Sequence, residues 1–171
     1  MKSRIDRALR ILVTTNGLVL ISVAMINPIY AYFVSDVGGT LLDTSYAFAA
    51  FAIAASLTAY ISGKYSDGMK DKAVPTIILG YAIMGLGFIG FIFVSSIWML
   101  LVLQALIGIG EALYSPVFDS LYSKHLHQEQ SGKEWGTWEA MNYLSLAIGT
   151  LTGGVIATLF GFPALFIVMA L

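Results

Sequence analysis

Five stretches of this chain are apolar for long enough to cross a lipid bilayer, and no other feature restricts its fold as strongly. They are Ile11–Phe33, Thr44–Ser62, Val74–Val94, Ile97–Leu121 and Thr137–Phe160. A spanning helix needs roughly 20 such residues. Inside hydrocarbon no water satisfies a stray backbone N–H or C=O, so a spanning segment must be a helix or part of a closed barrel. Long apolar runs without alternation predict helices. A sixth run opens at Phe162–Pro163, where proline suits a first helical turn because its missing N–H has no partner there. The sequence ends at Leu171 inside that run, so we expect a fragment or a truncated reading frame. Composition agrees: 58% of residues are hydrophobic and 11% charged, against a charged share of about 25% in soluble domains. The expected fold is an all-α, polytopic membrane helix bundle.

Charge placement sets the threading. The nine basic residues fall at the N-terminus (Lys2, Arg4, Arg7, Arg10), after the second run (Lys64, Lys70, Lys72) and after the fourth (Lys124, Lys133). Alternating spans put all three groups on one side, which the positive-inside rule makes cytoplasmic. The expectation is an integral protein of the cell (inner) membrane with a cytoplasmic N-terminus. A basic start, an apolar stretch and a small "SVA" would also suit a signal peptide. Here, however, the apolar stretch carries Asn16 and continues past Ala24 to Phe33. The chain has no cysteine, hence no disulfide framework or thiolate metal site.

Inside this apolar background one carboxylate stands out. Glu111 lies near the middle of the fourth run, where insertion of a charge costs roughly 2.5–3.5 kcal/mol. Helical spacing puts Gln104, Gly108, Glu111, Ser115 and Tyr122 on one stripe of that run. In the first run Asn16 and Asn27 share a face with Tyr30, and in the fifth Asn142, Ser145, Gly149 and Gly153 form a stripe. Polar groups in spanning helices face the bundle interior or a cavity, so the first, fourth and fifth helices are expected to line one. The third, interrupted only by Thr76 and Tyr81, reads as lipid-facing. Gly149, Gly153 and Gly154 have the spacing of a helix-packing motif. For the asparagines and Gln104, an interhelical hydrogen bond is the plain alternative to a ligand site.

The first and fourth runs also resemble each other. Asn16 stands twelve residues before Pro28, and Gln104 twelve before Pro116; "NPIY" then falls on "SPVF". Because the two runs cross in opposite directions, this suggests three-helix units of about residues 11–94 and 97–171, repeated with inverted topology. Such repeats are a recurrent plan of secondary transporters, with sites at the midplane between them.

Two patterns lead elsewhere. "GLGFIG" (Gly85–Gly90) matches the letters of a dinucleotide fingerprint, but it lies within an apolar helix and lacks the preceding strand that the fingerprint requires. His125 and His127 sit in a polar connection, where solvated histidines are the ordinary case, so neither a metal nor a cofactor is expected. By contrast "GKYSDGMKDK", Gly63–Lys72, resembles the cytoplasmic loop signature of the major facilitator superfamily. Gly63, Asp67 and Lys72 carry the match. "LIGIGEALYSP" is similar to the family's fourth-helix segment, with Gln104 where arginine is common. "GTLTGG" looks like the fifth-helix signature of drug–proton antiporters, with Thr150 in place of its proline.

The resemblance implies an N-terminal six-helix half, residues 1–171, with helices near 11–33, 44–62, 74–94, 97–121, 137–160 and an incomplete 163–171. It implies a secondary transporter that moves a small solute by alternating access, driven by a proton or other ion gradient. Asn27, Tyr30, Gln104, Glu111 and Asn142 would line the solute and proton pathway. Gly63, Asp67 and Lys72 would form the cytoplasmic gate. The partners would be the solute, the ion, the bilayer, and a C-terminal half or a second copy; no nucleic acid is expected. A half-size homodimer, an intramembrane enzyme using Glu111, or a membrane scaffold are the alternatives. The enzyme needs a second acid or base beside Glu111, and the sequence offers none at that depth.

Overall fold

The computed structural model describes residues 2–66, 72–124 and 131–171, which are helical with short connections and contain no strand. Helix α1 (Lys2–Ile26) passes through a single 3-10 turn, Asn27–Ile29, into α2 (Tyr30–Asp36). Pro28 explains the change of pitch, since proline removes one backbone donor and crowds the preceding turn. Together these elements make the first span. The second is α3 (Leu41–Ser66), the third α4 (Ala73–Phe91) and the fourth α5 (Ile97–Ser123). The last helical stretch, α6 (Ser131–Ala170), is broken at Gly161, whose φ of 80° lies in the left-handed region that glycine alone adopts cheaply. Among the described residues five helices are long and apolar enough to cross a membrane.

Several helices begin or end in polar sequence beyond the apolar runs. Helix α6 starts at Ser131 rather than near Thr137, and α3 continues to Ser66. The apolar run marks only the part of a helix that needs hydrocarbon. Between α2 and α3 the chain turns sharply through a reciprocal cap. The Thr40 N–H donates to Asp43 Oδ2 at 2.8 Å, and the Asp43 N–H donates to Thr40 Oγ1 at 3.3 Å.

Packing is pairwise. Helix α5 lies between α3 and α4, α1 lies along α6, and the end of α6 touches α4. Lipid is as apolar as leucine, so such contacts depend on close approach rather than on expulsion of water. Glycine supplies that approach. A Cβ on Gly149 would fall 2.7 Å from the Ala24 Cβ, and one on Gly153 2.6 Å from the Met25 carbonyl carbon, so α6 rests on the α1 backbone. Gly108 of α5 sits equally close to the Phe51 carbonyl of α3. At one end of the bundle Phe33, Phe91 and Phe166 interlock, with centroids 4.8–5.6 Å apart. Helix α3 is the least covered span, with 6% of its most apolar stretch buried.

Candidate functional site

A cavity of about 240 Å³ opens where α1, the 3-10 turn, α2, α3, α4 and α5 converge. The lining residues of α1, α3, α4 and α5 recur three or four apart, as one helical face must. Asn27 and Tyr30 flank Pro28. Phe48 and Phe51 come from α3, Phe88 and Phe91 from α4, and Gln104, Ile107 and Glu111 from α5. Four residues expected from sequence to line a pathway therefore stand around one space: Asn27, Tyr30, Gln104 and Glu111. Asn142 is not among them. It lies on α6, where its Oδ1 is buried without a hydrogen-bond partner among the described residues.

The polar groups differ in how they are held. Gln104 is 7% exposed and Tyr30 2%. The Tyr30 ring packs edge-on against Phe48 at 5.3 Å, and its hydroxyl is buried without a geometrically formed hydrogen bond to the described residues. Gln104 is the polar side chain next to that hydroxyl. Glu111 is half-buried, and no described residue forms an ion pair or hydrogen bond with its carboxylate. It also borders a second groove of about 420 Å³ between α3 and α5, walled by small residues such as Ala55, Ser56 and Ala59.

Pro116, five residues after Glu111, acts on this wall. It has no N–H for the carbonyl of Ala112, four residues back. That freed carbonyl accepts a hydrogen bond from Ser62 Oγ of α3 at 3.2 Å. The side chain of a neighbouring helix replaces the lost backbone donor, as a membrane interior requires. Glu111 is thus carried on a helix pinned to α3 one residue beyond it.

The lipid-facing assignment of the third helix is corrected. Helix α4 gives two aromatic walls to the cavity, and Tyr81 donates to Oδ1 of the deeply buried Asn16 at 2.8 Å. Asn16 is thereby an interhelical hydrogen-bond partner. The four phenylalanines escaped the reading of the sequence, because an aromatic ring in a spanning helix suits lipid and cavity alike. Only their recurrence three residues apart on both α3 and α4 hinted at a shared face.

The remaining expected residues lie elsewhere. Gly149 and Gly153 meet α1, whereas a Cβ on Gly154 would find nothing within 4 Å. Gly63 is in the exposed last turns of α3. Lys72 precedes α4, and its carbonyl accepts from the N–H and hydroxyl of Thr76. Asp67 lies outside the described residues, as do His125 and His127.

The sequence profile of the Major Facilitator Superfamily matches residues 12–171. The chain belongs to that family. It is 25% identical over 158 residues to an uncharacterized MFS-type transporter of Methanocaldococcus jannaschii, covering 92% of this chain and 40% of that protein. It is 25% identical over 161 residues to the multidrug resistance protein MdtG of Dickeya zeae, covering 93% and 40%. The protein of the same name from Serratia proteamaculans is also 25% identical, over 94% of this chain and 39% of its own length. The chain thus spans about 40% of the length of the curated relatives it matches. It is a membrane-spanning member of a transporter family, with the all-helical bundle of one half.

Proposed function

We propose that the chain is the N-terminal half of a secondary active transporter that moves a small organic cation across the cell membrane by alternating access, coupled to a proton gradient. The observation that carries this is Glu111. Among the described residues its carboxylate has no ion-pair or hydrogen-bond partner, and it is the one charged group in a cavity walled mostly by aromatic and aliphatic side chains, with Asn27 and Gln104 as further polar lining. An uncompensated charge in such surroundings is costly, so a proton or a cation must neutralise it, one at a time. Aromatic faces favour an organic cation over a small hydrated ion, because ring quadrupoles attract it without demanding water. Competition for one carboxylate then couples the two movements. The name of MdtG, a multidrug resistance protein, agrees with an organic solute.

The inverted-repeat plan supports alternating access. The same 88-residue step separates Asn16 from Gln104 and Pro28 from Pro116. Exchanging the first span for the fourth and the second for the fifth turns the α1–α6 contact into the α5–α3 contact. Both depend on glycine against backbone at matching depth: Gly149 against Ile21, and Gly108 against Phe51. A completing half, either further sequence or a second copy, would close the pathway on its open side. The cytoplasmic gate at Gly63, Asp67 and Lys72 rests on resemblance to the family loop alone.

The test is accumulation of benzyltrimethylammonium by inverted membrane vesicles from cells expressing the gene. Accumulation should follow an imposed pH gradient and collapse when a protonophore dissipates it. Accumulation equal to that of vesicles lacking the protein, or indifferent to the gradient, would reject the proposal.

A further inference from the structure

Glu111 stands between two hollows. Along α5 it is the last residue to line the aromatic cavity, after Gln104 and Ile107, and the first to line the groove beside it, before Ala112 and Ser115. Phe51 holds the same place on α3: it also borders both, and Ala55, Ser56 and Ala59 continue into the groove. The two backbones meet at this level, since a Cβ on Gly108 would strike the Phe51 carbonyl. Cavity residues precede the junction on both helices and groove residues follow it. The hollows therefore lie end to end, with Glu111 reached from either.

Their walls suit different visitors. Past Phe51 the groove has no aromatic ring to attract an organic cation. It offers methyl groups and the hydroxyls of Ser56 and Ser115 instead. A serine inside a helix often bonds the carbonyl one turn back, as Ser22 and Ser45 do here. Neither Ser56 nor Ser115 bonds any described residue, so both hydroxyls are left to water. Ser115 lies one turn from Glu111 on the same face of α5. At about 420 Å³ the groove has room for a file of water molecules.

Exchange at Glu111 needs both ways in. A one-ring cation is larger than benzene, which a cavity of roughly 150 Å³ holds, so it takes up most of the 240 Å³ available. Once its charge reaches Glu111 the cavity is filled behind it. The proton it displaces must then leave by another path. We infer that the groove between α3 and α5 is the proton's route to Glu111, separate from the cation's cavity, with Phe51 and Gly108 at the partition. This rests on the organic-cation reading of the site and adds a path to it. As the cation arrives, the O–H bond of the Glu111 carboxyl breaks, the carboxylate keeps the electron pair, and groove water takes the proton as hydronium. The hydroxyls of Ser56 and Ser115 hold that water in line. Reprotonation runs the same path in reverse.

The sequence contains no cysteine, so a single introduced one can be plugged selectively. Ala59 lines the groove alone, eight residues and about 12 Å along α3 from Phe51. Ala59→Cys in the purified full-length gene product is labelled with N-ethylmaleimide after folding and mixed with saturating benzyltrimethylammonium, and a pH indicator follows proton release; the unsubstituted protein, treated alike, controls for thiols elsewhere in the gene product. Labelled protein should release its protons about tenfold more slowly than unlabelled, the effect of removing one well-placed hydrogen bond from the route. The final amount released and the cation affinity should not change. Val23→Cys, which lines the cavity alone, should lose cation binding when labelled. Release at the unlabelled rate from labelled Ala59→Cys would overturn the groove as the proton's route and leave the cation reading standing. Loss of cation affinity in labelled Ala59→Cys would show a single compartment and overturn the separation. Absence of cation binding to the unlabelled wild type would overturn both readings.

Discussion

Gly153 and Gly154 are neighbours in sequence and opposites in surroundings, which makes them a controlled test of how α6 is held. A methyl group on Gly153 would arrive 2.5 Å from the Cα of Met25 and 2.6 Å from its carbonyl carbon. Comfortable carbon–carbon separations are about 3.5–4.0 Å. The shortfall is therefore roughly 1 Å, and it is against backbone, which has no rotamer to change. Gly153→Ala must push α6 off α1 along their contact, and overpacking of this kind costs about 1–3 kcal/mol. For a chain of this length that lowers the melting temperature by roughly 3–9 °C. Gly154→Ala introduces the same methyl group one position on, where nothing lies within 4 Å. Alanine is a better helix former than glycine by up to about 1 kcal/mol, so this variant should melt at or slightly above wild type. Thermal unfolding in detergent, followed by loss of the monodisperse peak on size exclusion, reads both. If the two variants melt together, the α1–α6 register described here is wrong.

Other variants probe other joints. Tyr81→Phe strands the buried Asn16 Oδ1 and should cost about 1 kcal/mol, seen as a fall of a few degrees in the same melting assay. Ser62→Ala leaves the Ala112 carbonyl, already deprived of a donor by Pro116, without its substitute; a similar loss is expected, and Pro116→Ala in the same background should recover part of it. For the threading, a cysteine at Thr40 should react with an impermeant thiol reagent in intact cells, while one at Lys124 should react only after permeabilisation. Labelling at Lys124 from outside would invert the topology.

The spans were legible because hydrocarbon imposes a length on every helix that crosses it, and run lengths survive local irregularity. The polar face of the site was legible for a related reason. Gln104 and Glu111 are expensive in lipid, so their spacing on α5, and that of Asn27 and Tyr30 beyond Pro28, had to point inward. Phe48, Phe51, Phe88 and Phe91 carry no such penalty on either side, so composition alone could not assign them to the cavity. Tyr81 misled for the opposite reason. A single polar residue in an apolar helix looked incidental until its partner, Asn16 on another helix, was in view. Helix ends beyond the apolar runs, such as Ser131 and Ser66, escaped because the signal stops where water begins.

The central claim is that Glu111 is neutralised by a proton or by an organic cation, never by both. The direct measurement is the pH change on adding benzyltrimethylammonium to weakly buffered, purified protein near neutral pH, alongside a binding isotherm. The wild type should release protons in proportion to occupancy, up to one per cavity, and Glu111→Gln should release none. Binding to the wild type without proton release, or equal release from Glu111→Gln, would contradict the account.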